Sequence, residues 1–245
     1  MEKQIFNFFL VIHVICGFLS LVTGLIAMIA DKGKKTHNRA GNVFYWAMCG
    51  IFVTTIIFFV IYPAQVKYQF FLTIGIVSFY PNFSGKRLLS MKKAIMPTLV
   101  DWIAAWTVGF CGLVMIGYSV YGFMNPANFN GMTILFTIFG IVCLVNAYGD
   151  LKIYLGYVKP EKMHWFLGHG GKMMGAYSAA LTAFCVNIVP RYLPQNTPAF
   201  VFILTWTLPG VLIGIIASRM LKKYKVKFGI SPKKNQVPAG MEMAK

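Results

Sequence analysis

Acidic residues are scarce in this chain. Only six of its 245 residues are Asp or Glu, and charged residues of both signs make up 12 %. Soluble domains carry about 25 % charged residues and about 45–50 % apolar ones, whereas the apolar share here is 58 %. This excludes an ordinary globular domain and indicates a membrane protein. Paired cysteines are also missing. Cys16, Cys49, Cys111, Cys143 and Cys185 all fall inside apolar runs with no C-x-x-C pair, so they read as packing residues and not as a disulfide framework. No nucleotide-binding motif, nucleophile elbow or internal repeat occurs. A net charge of +17 would point a soluble protein toward nucleic acid. Here the basic residues lie between apolar runs, so the partner they imply is an anionic lipid surface, and no nucleic acid is expected.

What the sequence has is apolar length. A bilayer core needs about 20 apolar residues per helix. Seven segments reach or approach that, near 5–30, 43–62, 68–84, 98–123, 132–150, 163–189 and 199–218. The first run exceeds the roughly 7–15 residues of a signal-peptide core and lacks a small-x-small cleavage site, so it is expected to stay as a helix. The third carries Pro81 and polar neighbours in "SFYPNFSG", which predicts a short or bent end. The expected fold is all-α, a seven-transmembrane-helix bundle over 1–228, with sequential helices packed as antiparallel neighbours. Residues 229–245 are expected to form a flexible basic tail.

Charge sets the orientation. The loop 31–42 carries Lys32, Lys34, Lys35 and Arg39; the loop 85–97 carries Lys86, Arg87, Lys92 and Lys93; the loop 151–162 carries Lys152, Lys159 and Lys162. Eight more basic residues follow Ser218, so nineteen fall on one side, against Lys3, Lys67 and Arg191 on the other. Positive charge marks the cytoplasmic side. The N-terminus is therefore expected outside and the C-terminus in the cytoplasm, in a bacterial cytoplasmic (inner) membrane.

Ionisable groups within spans are costly and mark candidate sites. His13 and Asp31 are eighteen residues apart, five helical turns, and share a stripe with Gly17, Ser20, Gly24 and Ala27. Small residues at that spacing admit a neighbouring helix, so His13 should face the bundle, either as an interhelical hydrogen bond or as a ligand. Asp101 heads a similar stripe through Ala105, Gly109 and Gly112, and Asn146 and Asp150 end helix 5 one turn apart. Asp150 is expected to pair with Lys152. In helix 6, His169, Met173 and Tyr177 recur every four residues and form a stripe descending into the bundle. Lys172 is expected to snorkel toward the surface. His164 lies about 140° round the helix from His169 and forms no i, i+4 pair with it.

"THNRAGNVFYWAM" at 36–48 resembles the H-R-x-x-G-R-V-Y signature of a bacterial multi-pass membrane protein family, catalogued as a domain of unknown function. "HGGKMMGAY" at 169–177 is similar to its H-R-R-W-M-I-R-S-Y motif through His169, Met173 and Tyr177. His13 and His37 match its histidine pair about 24 residues apart. Asn38, Gly170 and Gly171 depart from the family's basic residues. The resemblance spans about residues 10–190 and implies no established activity.

These residues predict a polar pocket opening to the cytoplasm, lined by His37, His169, Met173, Tyr177 and Asp101. Imidazole and thioether are suitable axial haem ligands, so haem b is one expected occupant, with a redox role. His13 and His169 differ by roughly 17 Å in depth at 1.5 Å per residue and cannot share one haem. Met173 is on the same helix as His169, which leaves His37 as the opposing ligand. A zinc ion held by His37, His164, His169 and Asp101 would instead suit an intramembrane hydrolase. Enzymes of that sort use an H-x-x-x-H pair on the last helix, and the last apolar segment here has no histidine. A third possibility is an accessory subunit of a larger membrane complex.

Overall fold

The computed structural model describes residues 2–125, 131–194 and 196–230. Seven long helices make up the described chain: α1 (Glu2–Ile29), α2 (Lys35–Ile61), α3 (Val66–Leu88), α4 (Leu99–Met124), α5 (Gly131–Tyr154), α6 (His164–Ile188) and α7 (Ala199–Lys227). No strand occurs among the described residues. By length and composition α1, α2, α4, α5, α6 and α7 are apolar enough to cross a membrane, which fits a multi-pass membrane protein. Their outward faces carry large apolar side chains such as Phe18, Trp46, Phe110 and Val145, each at least 63 % exposed. In water such faces would aggregate, whereas in a bilayer they meet acyl chains.

Helix α3 is less apolar than these six, and its position in the bundle accommodates that. Eleven of its 23 residues are buried, against two in α1. It packs on α6 and α2 and, more lightly, on α5 and α4. Thr73, Ser78, Asn82 and Ser84 are therefore enclosed by protein. A helix shielded from lipid need not be apolar on every side. It also runs through Pro81 to Leu88, correcting the expected short end.

Other boundaries differ from the sequence reading. Helix α2 begins eight residues earlier than expected, so the predicted loop 31–42 shrinks to a turn around Gly33, which adopts φ +83°. His37 and Arg39 thus lie on the first turns of a helix. Helix α7 continues nine residues past 218, taking in five of the eight basic residues that follow Ser218. Phe166, Tyr224 and Phe228 hold that extension, with ring centres 4.9 and 5.2 Å from Phe166. The expected flexible tail lies outside the described residues from 231 onward.

The helices pack as α1 on α2, α4 on α5 and α7 on α6, with α3 and α6 in the middle. Sequential neighbours fail at one step, since α6 packs on α3 and not on α5. Close approach uses small residues. A Cβ at Gly112 would lie 3.0 Å from Cys143 Cβ and from Gly140 O, so α4 and α5 nearly touch there.

Candidate functional site

At one end of the bundle α1 and α3 finish, α2 and α6 begin, and α7 passes alongside. The first turns of α2 bring His37 against the last turn of α1, where its Nδ1 donates to Ala27 O at 2.9 Å. The second turn of α6 brings His169 against α3, where its Nδ1 donates to Gly85 O at 2.8 Å. A carbonyl oxygen only accepts, so each Nδ1 carries a proton, and in the neutral form of either ring the lone pair is on Nε2. Tying one imidazole nitrogen to a carbonyl is how ligating histidines are commonly oriented. The two ring centres are 6.5 Å apart, with the planes at 85°.

Both rings line a cavity of ≈ 400 Å³. Its walls include Met28, Met173, Met174 and Met220, together with Phe44, Phe166 and Tyr177. Tyr177 fits because residue 24 is glycine: a Cβ there would lie 2.8 Å from the ring's Cε2 and 3.0 Å from Phe44 Cδ2. Toward the end of the bundle the lining becomes polar, with Lys32, Lys86, Lys92, Asn38 and Asn42. Lys32 sits in the α1–α2 turn, and burial lowers its pKa against the opposing pull of Asp31. Its ammonium donates to Ala27 O, Met28 O and Ala30 O at 3.0, 2.5 and 3.2 Å, capping the C-terminus of α1. Asp31 is fully exposed; Lys34, at 2.9 Å, holds its pKa below the usual carboxylate value.

Of the sequence-nominated residues, the structure therefore brings His37, His169, Met173 and Tyr177 together around one cavity. Others lie elsewhere. Asp101 is not among the lining residues; Arg87 grips it bidentately, Nε to Oδ1 at 2.7 Å and Nη2 to Oδ2 at 2.8 Å. It also closes a capping box with Thr98 at the start of α4. The T-x-x-D spacing is a signal that could have found this role. His13 makes an interhelical hydrogen bond, Nδ1 to Thr54 Oγ1 at 2.7 Å, away from the cavity. His164 does not line the cavity either. Among the described residues no group of three or more His, Cys, Asp or Glu could hold a metal ion. The four-ligand zinc set is thus not assembled, because Asp101 is committed to Arg87 and His164 stands apart.

The buried acid of α5 finds a different partner from the one expected. Asp150 Oδ2 accepts from Lys172 Nζ at 2.5 Å and from Tyr80 OH at 2.7 Å, and Lys172 also donates to Ser84 Oγ at 2.8 Å. Lys152 instead lies over the Tyr148 ring, 5.2 Å from its centre. The Lys172 and Asp150 side chains are only 17 % and 7 % exposed, so Lys172 points inward and does not snorkel. Asn146 donates to Val142 O at 2.8 Å and, with Lys172, borders a second cavity of ≈ 550 Å³ between α3, α5, α6 and α7. Ser84 and Gly85 thus tie α3 to α6 at adjacent positions, one through Lys172 and the other through His169.

Comparison of the chain with family models, with curated proteins and with solved structures finds no match.

Proposed function

We propose that this chain is a seven-span inner-membrane protein, N-terminus outside and C-terminus cytoplasmic, that binds one haem b in the His37–His169 cavity for a redox role. The seventh span is α3, whose polar residues are shielded by its neighbours. The strong excess of Lys and Arg at the cavity end supports the orientation and suits anionic inner-leaflet lipids. The family resemblance through His13, His37, His169, Met173 and Tyr177 is consistent with this reading but brings no activity.

One observation carries the haem assignment: two imidazoles with Nδ1 anchored to backbone carbonyls, 6.5 Å apart by ring centre, on one largely apolar cavity. With metal–nitrogen bonds of about 2.0–2.1 Å, imidazoles on opposite sides of one ion have ring centres roughly 6 Å apart, while tetrahedral neighbours come to roughly 5 Å. That spacing would let His37 and His169 together hold a haem iron. A bound haem would supply one-electron chemistry. The protein's part is to fix the two ring orientations and exclude water with the methionine and aromatic walls. Titration of detergent-purified protein with ferric haem tests the reading. A saturable one-to-one Soret shift, lost in His169→Ala and in His37→Ala, is expected; a linear increase without saturation would remove it.

A further inference from the structure

Among the described residues the cavity is lined by lysines and by no acid. Of the six Asp and Glu residues, Asp31, Asp101, Asp150 and Glu161 are ion-paired with Lys34, Arg87, Lys172 and Lys225. Glu2 begins α1 at the far end of the bundle, and Glu242 lies outside the described residues. The lysines of the lining are not equivalent. Lys32 has three ammonium protons and three carbonyl acceptors, so it is saturated. Lys86 makes one hydrogen bond, to Asn42 Oδ1 at 3.2 Å, and Lys92 lies over the Trp165 ring at 4.9 Å from its centre. Neither has a carboxylate partner among the described residues. The first turns of α2 and α6 also border the cavity, and neither helix has a side-chain cap. Their dipoles add positive potential to the same volume.

We propose that the ligand of this cavity is an amphiphilic anion, whose apolar body lies among the methionines and aromatics and whose carboxylates are held by Lys86 and Lys92. The proposal rests on the haem reading for one source of that chemistry, since haem b carries two propionates on an apolar ring. A fatty acid is the other source. In either case the acid-poor composition has a consequence: the counter-charge for these lysines arrives with the ligand.

The test uses the full-length purified protein in nonionic detergent. It is titrated with ferric haem and its dimethyl ester by the Soret band, and with a long-chain fatty acid and its methyl ester by tryptophan quenching. Wild type is expected to bind ferric haem roughly tenfold tighter than the diester, the size of two partly exposed charge contacts. Lys86→Gln with Lys92→Gln should close that gap while leaving diester affinity unchanged, which also serves as the folding control. Equal binding of acid and ester by wild type, or equal weakening of both by the lysine variant, would overturn the proposal. If neither porphyrin binds but the fatty acid binds lysine-dependently and its ester does not, the haem reading falls and the anion proposal stands. Failure of all four probes removes both.

Discussion

Lys172 is the residue whose surroundings depart furthest from its sequence context. It lies within a run of Gly, Met and Ala, yet it joins α6 to Asp150 of α5 and Ser84 of α3. Removing one member of a buried pair strands the other charge, at about 3–5 kcal/mol. Asp150→Asn should therefore lower the thermal unfolding temperature in detergent markedly. Asp150→Leu combined with Lys172→Met should recover most of the loss, and the same measurement on both variants checks this. Gly85 matters for a steric reason. A Cβ there would lie 3.0 Å from Lys172 Cβ and 3.2 Å from Met173 Sδ, beside the carbonyl that anchors His169. Gly85→Ala should weaken ferric haem binding several-fold, by about 1 kcal/mol, with a smaller effect on unfolding temperature; unchanged binding would mean that α3 and α6 adjust freely. The meeting of His169, Met173 and Tyr177 was legible because a four-residue period fixes one helix face. The partner of Asp150 was not legible: Lys152 is the near neighbour in sequence, while Lys172 reaches it only through the packing of α6 on α3. Lys86 and Lys92 were visible as charge, but nothing in their spacing distinguishes cavity lysines from topology lysines.

At the scale of elements, α3 separates hydropathy from burial. Its polar side chains face protein, and its apolar neighbours face outward in its place. It should cross the membrane although its composition alone does not indicate this. In a background with the native cysteines replaced, Lys67→Cys marks the first turn of the helix and Lys93→Cys lies just past its other end. An impermeant maleimide added to intact cells should label Lys67→Cys and not Lys93→Cys; equal labelling of the two would contradict a span. All seven helix centres followed from the apolar segments of the sequence, α3 from the weakest of them. The ends were less accessible, because they depend on tertiary anchors. The bond from His37 to Ala27 O ties the start of α2 to α1, and the Phe166–Tyr224–Phe228 cluster prolongs α7. Arg87 and Asp101 similarly tie the start of α4 to the end of α3. Asp101→Asn should cost about 1.5–3 kcal/mol, the range for hydrogen bonds to a charged group, seen as a lower unfolding temperature with ferric haem affinity largely unchanged.

Across the whole molecule, charge and apolarity are sorted along one axis. Basic residues gather at the end where α1 stops and α2 and α6 start, and the histidine cavity opens among them. Four acids are used to pin helices and turns, which leaves that end free to receive an anion. The arrangement of two imidazoles across this cavity is the claim on which the functional reading depends. Electron paramagnetic resonance of the ferric haem complex tests it most directly. Wild type should give a low-spin signal from two nitrogen axial ligands, and both His37→Ala and His169→Ala should convert it to high spin or lose the haem. A low-spin signal that survives His37→Ala, or a high-spin wild type, would contradict opposed ligation by His37 and His169.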